Sequence, residues 1–326
     1  MNNFKWGIIG LGRIAHKFAQ DLAALPNARL HAVASRSQER AQAFADMYNA
    51  PHAFGSYEAI VDCPDLDVVY VATPHVTHCE NTLLCLRHNI PVLCEKPFAM
   101  NLQEVQKMVM TAQAQETFLM EGLWTRFSPT LRKALALIYD DTIGAVHGVK
   151  ADFGFKPPFD SQSRLFNRAL GGGALLDIGI YPVFLALLVL GKPDAIKAFA
   201  TKGVTNVDEE VGAIFHYKNG NMAHLHTTIR AKTKTEALIY GERGTIHLHT
   251  RWHEPTSMSL LLNGERPQNF TFDERGEGYT HEAQEVMQCL QDGKRESDLM
   301  PLAFSLELIA LLDEIREQTG IRYPQD

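Results

Sequence analysis

The chain has 326 residues, 45% hydrophobic and 21% charged, a balance that suits a soluble globular protein of about two domains. Its formal net charge of −7 argues against a nucleic-acid surface, which needs a basic face, so any phosphate site must be local. The five cysteines (Cys63, Cys79, Cys85, Cys94, Cys289) are odd in number, scattered and without metal or redox spacing. They read as reduced, buried thiols of a cytoplasmic protein, and no metal site is expected.

The first predicted element is an apolar strand over 6–10 that turns at Gly10-Leu11-Gly12-Arg13-Ile14-Ala15 into a helix over 13–25. A buried strand that turns sharply into a helix is a phosphate corner for a dinucleotide. Gly10 allows the tight turn. Gly12 lets backbone N–H groups, those of Arg13 and Ile14 among them, approach a pyrophosphate. Ala15 permits close helix–strand packing. No basic–apolar–small leader pattern precedes the strand.

Further apolar runs at 30–34, 68–73, 91–94 and 117–120 alternate with helical stretches at 37–48, 78–88 and 101–115. That alternation implies parallel strands joined by crossover helices. Ser37 and Asn101 start helices, the latter with Glu104 three residues on. The second strand ends in Ser35-Arg36-Ser37, with Arg40 one turn further. No acid stands at its tip, where Asp or Glu usually holds a ribose 2′-hydroxyl. Guanidinium and hydroxyl groups suit a 2′-phosphate, so the expected cofactor is NADP. The third strand ends in Thr73-Pro74-His75-Val76-Thr77-His78. With no third ligand nearby, Thr73, Pro74 and His78 read as cofactor contacts and not as a metal site. The fourth strand runs into Glu95-Lys96-Pro97, and a lysine at the carboxyl end of a parallel strand points into the ligand crevice of an open α/β sheet.

After Trp124 the character changes, and a nucleotide domain of 1–122 is expected to give way to a second domain of 123–326, whose last helix can pack back on the first. A helix over 129–139 leads to a strand over 146–155 and a Pro-, Ser- and Arg-rich loop over 156–168. Gly171-Gly172-Gly173 then opens an apolar helix over 174–190, interrupted by Asp177 and Pro182 and short of a clean membrane span of about 20 residues. Pro182 should bend this helix or end its regular part. Asp177 and Tyr181, four residues apart, share one face. Such groups are either hydrogen-bonded in a core or line a cavity, and spacing alone does not choose. From 194 to 272 successive strands are punctuated by turns at 218–221, 241–244 and 263–264, which implies a largely antiparallel sheet. Helices over 279–292 and 301–318 finish the chain.

Together, the Gly10–Ala15 corner, Glu95-Lys96-Pro97 and the Gly171–Tyr181 segment resemble the glucose–fructose oxidoreductase / inositol dehydrogenase (Gfo/Idh/MocA) family across essentially the whole chain. Glu121-Gly122-Leu123-Trp124-Thr125-Arg126-Phe127, Gly173–Pro182 and Tyr323-Pro324-Gln325 are most similar to its branch of dimeric dihydrodiol dehydrogenases and NADP-dependent D-xylose dehydrogenases. That branch has tyrosine where many members have histidine at the position of Tyr181. The resemblance implies an α/β fold: an N-terminal Rossmann doubly wound parallel sheet, then a C-terminal α+β domain with an open, largely antiparallel sheet used for dimerisation. It also implies hydride transfer between NADP(H) and a hydroxyl or carbonyl carbon of a sugar, cyclic polyol or trans-dihydrodiol.

In that scheme Tyr181 is the general base, Lys96 polarises the oxygen and favours the phenolate, and Asp177 orients the substrate or the lysine. Glu95 and Lys96 join the cofactor contacts, and Trp124, Arg126 and Phe155 are expected walls of the substrate pocket. Apolar positions Val211, Ala213, Phe215 and Leu225 are expected to form the exposed face of a homodimer. The alternative is a nucleotide-sensing regulatory protein of the same fold without turnover; the joint presence of Lys96 and Tyr181 favours an enzyme.

Overall fold

A computed structural model of the chain describes residues 3–254, 257–272 and 276–326. It falls into two compact units, Met1–Phe127 with Arg275–Leu306, and Ser128–Glu274 with Glu307–Asp326. The break expected at 122/123 thus lies close to the first crossing, but the chain also returns to the first unit before it ends.

The first unit begins with β1 (Phe4–Ile9), α1 (Arg13–Ala23), β2 (Ala28–Ala34), α2 (Gln38–Tyr48) and β3 (His52–Phe54). It continues with β4 (Val68–Val71), α3 (His78–Arg87), β5 (Val92–Glu95), α4 (Leu102–Ala114) and β6 (Leu119–Gly122). The strands form one parallel sheet in the order β3-β2-β1-β4-β5-β6. β4 and β5 are buried along their whole length, as strands covered on both faces must be. The order reverses between β1 and β4, so the crevice beyond their carboxyl ends is the topological switch point. β3 has no counterpart among the predicted strands. Three residues following the left-handed helix cap at Asn49 are too few to show any alternation.

The second unit holds α5 (Pro129–Tyr139), β7 (Val146–Gly154), α6 (Ile180–Leu190) and β8 (Ala195–Lys202) through β14 (Gln268–Thr271). Between the last two lie β9 (Asp208–His216), β10 (Met222–Thr228), β11 (Ala237–Gly241), β12 (Gly244–Leu248) and β13 (Ser257–Leu262). The sheet order is β14-β13-β12-β11-β7-β10-β9-β8, antiparallel except for β7 with β10. α6 is apolar on every side and lies against β7 and β10. The chain then enters α7 (Thr280–Gln291) in the first unit and α8 (Leu302–Thr319).

The expected dimer face is corrected here. Val211, Ala213, Phe215 and Leu225 are all buried. Val211, Ala213 and Leu225 face Pro182 and Val183 of α6 and Ile315 of α8. Two-residue alternation along β9 and β10 therefore turns Ile214 and Met222 outward, on the same face as Phe199, Tyr240 and Leu261, with Met222, Tyr240 and Leu261 in one row across Gly148 and Thr245.

In the first unit the returning segment is held by Asp21 of α1, a buried carboxylate that accepts N–H bonds from Glu277 (2.8 Å) and Tyr279 (2.7 Å). In the second unit the C-terminal tail is held by Tyr323, whose hydroxyl donates to the Gly172 carbonyl at 2.9 Å. Arg316, 3% exposed, lies 4.8 Å over the Tyr323 ring and pairs with Asp313 and Asp326.

Candidate active site

At the β1–α1 corner Gly10 has φ +90°, and an added Cβ would stand 2.8 Å from the Ala72 carbonyl and Thr73 amide, so only glycine fits. Gly12 is the N-cap of α1 and no side chain caps the helix. A Cβ on Gly12 would meet nothing within 4 Å. The first-turn N–H groups, including those of Arg13 and Ile14, have no partner within the helix and sit at its positive end. This bare glycine cradle fits a pyrophosphate.

At the end of β2, Ser35 is buried with its N–H on the Phe54 carbonyl (3.0 Å), and Arg36 and Arg40 are exposed. Ser37 accepts from the Arg40 amide (3.3 Å) and donates to Glu39 at 2.6 Å. That hydroxyl holds the Glu39 carboxyl below the usual range. Glu39 escaped the sequence reading. It puts one acid among the guanidiniums, and its place two residues after Ser37 was visible.

At the end of β4, Thr73 is buried and accepts from Asn81 Nδ2 at 3.2 Å, while Pro74 is half-buried. His78, 1% exposed, faces the Pro97 carbonyl with Nδ1 and the Thr73 carbonyl with Nε2, both at 2.8 Å. It fastens the end of β4 to the turn after β5. Both of its ring nitrogens thus face backbone carbonyls.

β5 ends in buried Glu95, which accepts from the Tyr70 hydroxyl and from the Lys96 amide (3.1 Å). Lys96 is half-buried at the carboxyl edge of the sheet, and its peptide to Pro97 is cis. The next amide, Phe98 N–H, donates to Glu121 Oε1 of β6 at 3.0 Å. Burial pushes the Glu121 carboxyl up to about 7, against the lowering effect of Ser305, the Phe98 amide and Lys96. Burial, with Glu95 and Asp21 nearby, also raises Glu282 of α7 well above the carboxylate range. Neither acid was identified as a site residue from sequence, because what marks each is its burial.

After β6 comes a 3₁₀ turn, Trp124–Phe127. Trp124 is buried and stacks on Tyr279 at 4.9 Å, and Arg126 Nε donates to the Leu299 carbonyl at 2.8 Å. Both expected pocket walls therefore also anchor the returning segment.

In the second unit Asp208 opens β9, fully buried, and accepts the Leu175 amide at 2.6 Å. Burial pushes its carboxyl up to about 7. Leu175–Gly179 is a π-helical turn that carries Asp177, and Tyr181 is the second residue of α6. The helix runs on through Pro182, unlike the bend or end expected there. The irregular turn lies just before it, because proline lacks an N–H and its ring crowds the carbonyl four residues back, at Ile178. Asp177 pairs with Arg164 at 3.1 Å. Tyr181, 4% exposed, has Phe153 at 5.6 Å and His253 at 5.2 Å between ring centroids, and those two rings stack at 4.1 Å. Phe155 packs on the cluster of Phe166, Ala174 and Ile178.

The sheet of the first unit thus gathers the expected cofactor residues and Lys96 at one edge, and the second unit gathers Asp177, Tyr181 and Phe155. Arg164, Phe153 and His253 were missed. Arg164 stood in a loop with no periodicity, and His253 is more than seventy residues from Tyr181.

Residues 4–123 match the model of an oxidoreductase family with an NAD-binding Rossmann fold, and residues 131–247 match that of the GFO/IDH/MocA C-terminal domain. Trans-1,2-dihydrobenzene-1,2-diol dehydrogenase of Xenopus laevis is 38% identical over 334 residues, covering 98% of this chain and 99% of that relative. A 3-ketoreductase from Actinomadura kijaniata, solved with NADP and TDP-benzene, superposes with a TM-score of 0.86 at 25% identity over 98% of each chain. Levoglucosan dehydrogenase, solved with NADH and levoglucosan, superposes with a TM-score of 0.90 at 19% identity over 98% of each chain.

Proposed function

Because the chain belongs to the Gfo/Idh/MocA oxidoreductase family, we propose that it is an NADP(H)-dependent dehydrogenase that interconverts a hydroxyl and a carbonyl on a trans-dihydrodiol, cyclic polyol or sugar. The Xenopus laevis relative, alike over nearly its whole length, supports the trans-dihydrodiol as first candidate. The glycine cradle with Arg13 and Ile14 would hold the pyrophosphate. Arg36 and Arg40 would hold the 2′-phosphate, with Glu39 opposing it. When bound, the nicotinamide supplies the hydride chemistry.

The observation that carries the catalytic part is Tyr181, buried one turn beyond the Arg164-paired Asp177 and flanked by Phe153 and His253. Phe153 and His253 hold the phenol ring in place. Tyr181 Oη takes the hydroxyl proton in oxidation and returns it in reduction. The Lys96 ammonium stabilises the negative charge that develops on oxygen. Asp177, fixed by Arg164, accepts a hydrogen bond from a second substrate hydroxyl, which is why a diol or polyol suits the site.

The test is turnover on a panel of trans-dihydrodiols, pentoses, hexoses and inositols, followed by absorbance of the reduced nicotinamide. Tyr181→Phe and Lys96→Met should each lower the rate constant by about a hundredfold or more. The double variant should be little worse than the worse single one if they act as a unit. Cofactor affinity, followed by fluorescence, should change little. Full activity in Tyr181→Phe removes the proposed base.

A further inference from the structure

At the β2–β3 edge of the first unit three soft donors meet. His31 lies within β2, His52 opens β3, and Cys63 follows the 3₁₀ turn Glu58–Asp62 that leads towards β4. β3 pairs with β2 through Ala32 and His52, which brings the second histidine beside the first. The two rings meet edge to face with centroids 4.8 Å apart. A ring nitrogen of each histidine and the Cys63 sulfur all lie within 4.8 Å of one another. Among the described residues no other cluster of three such donors comes together.

The state of His31 is the second, independent observation. The residue is 6% exposed, and its Nε2 lies 3.1 Å from the Pro64 carbonyl. A carbonyl only accepts, so Nε2 carries the proton and Nδ1 the lone pair. Nδ1 is buried and has no hydrogen-bond partner. A buried acceptor with nothing to accept is unfavourable. One ring nitrogen donating to a backbone carbonyl while the other presents its lone pair is the arrangement that orients a metal-ligating histidine.

We propose that His31, His52 and Cys63 form a binding site for a borderline-soft transition-metal ion of the zinc class, with the fourth position left to water. Two imidazoles and a thiolate suit such an ion, whereas magnesium and calcium require oxygen donors. A tetrahedral ion with bonds of about 2.0–2.3 Å needs donors closer together than 4.8 Å, so binding draws the three inward. Half-buried His52 is the side chain with room to move and the route of entry.

Of the charged groups near the cluster, Lys5 is paired with Asp65 at 3.1 Å, which removes part of its repulsion for a cation. The cluster is separate from the glycine cradle and Lys96, and an ion there would tie β2, β3 and the connection to β4 together.

The test uses the full chain, treated with chelator and titrated with Co²⁺ alone. A stoichiometric ion should give tetrahedral cobalt absorption with a thiolate-to-cobalt charge-transfer band, and Zn²⁺ should displace it and raise the melting temperature. Cys63→Ser should abolish the band. His52→Gln should weaken zinc binding by more than the roughly tenfold to hundredfold that loss of an outer-shell partner costs. The variant His247→Gln, on a strand of the other unit, should behave as wild type. A wild-type chain without the charge-transfer band, or a band that survives Cys63→Ser, overturns the proposal.

Discussion

Replacing Gly173 by alanine tests how the turn before Asp177 is built. Gly173 has φ +125°, a region that side chains rarely enter, and an added Cβ would overlap Asp208 Oδ1 and come within 3.2 Å of the Tyr323 hydroxyl. Backbone strain of that kind costs about 1–3 kcal/mol. The overlap adds about 1–3 kcal/mol, as overpacking does, because Asp208 cannot retreat: it is fully buried and fixed by the Leu175 amide at 2.6 Å. The sum, about 2–6 kcal/mol, corresponds to a fall in melting temperature of roughly 5–20 °C for a unit of this size. Thermal and urea denaturation followed by near-ultraviolet circular dichroism measures it. In an Asp208→Ala background the overlap is gone and only the strain remains, so Gly173→Ala should there cost about half as much or less. A Gly173→Ala protein as stable as wild type, or an equal cost in both backgrounds, would refute the reasoning.

The remaining predictions concern cofactor, pH and assembly. Arg36→Ala should weaken NADP by about 1–3 kcal/mol and NAD hardly at all, and Glu39→Gln should strengthen NADP; a wild-type titration that prefers NAD sinks this assignment. Asp208 and Glu121 both titrate near about 7 in the fold, above their ordinary values of 3.8 and 4.5, so the folded chain binds protons more tightly than the unfolded one. Their stabilising contribution is complete below the unfolded values and is lost as pH rises towards about 7, at roughly 3–4 kcal/mol per group. The urea midpoint should therefore fall between about pH 4 and 7 and level off above that, and Asp208→Asn or Glu121→Gln should flatten the fall; an unchanged slope in both variants contradicts the burial argument. A second copy of the chain should cover the outward sheet face, so that Ile214→Lys with Tyr240→Glu gives a monomer by light scattering, and a monomeric wild type at micromolar concentration rules the interface out.

What could be read from sequence was what is local. The corner from Gly10 to Ala15, the alternation of strands and helices, and Lys96 at a strand end are each set by neighbours in the chain, and the parallel sheet follows from them. β3 escaped because three residues carry no period, and with it went the meeting of His31, His52 and Cys63. A return to the first unit is expected of the last helix, whereas the segment that returns is 275–306; its place escaped because Asp21 meets Glu277 and Tyr279 across a separation that no periodicity spans.

The reversed sheet face shows the same limit in a sharper form. Alternation along β9 separates Val211, Ala213 and Phe215 from Ile214 and His216, but it cannot say which set faces inward, since both sides carry apolar residues. That choice belongs to α6, which is apolar all round and must be buried on every side. Its burial claims the Val211 set and leaves Ile214, Met222 and Tyr240 outside. The same helix must admit Pro182, and the π-helical turn that makes room for it carries Asp177. Two residues beyond that turn, α6 places Tyr181 against Phe153 and His253. Asp177 thus sits where the most apolar segment of the chain is forced out of regular helix and Tyr181 two residues after it, a consequence of packing that their four-residue spacing does not carry.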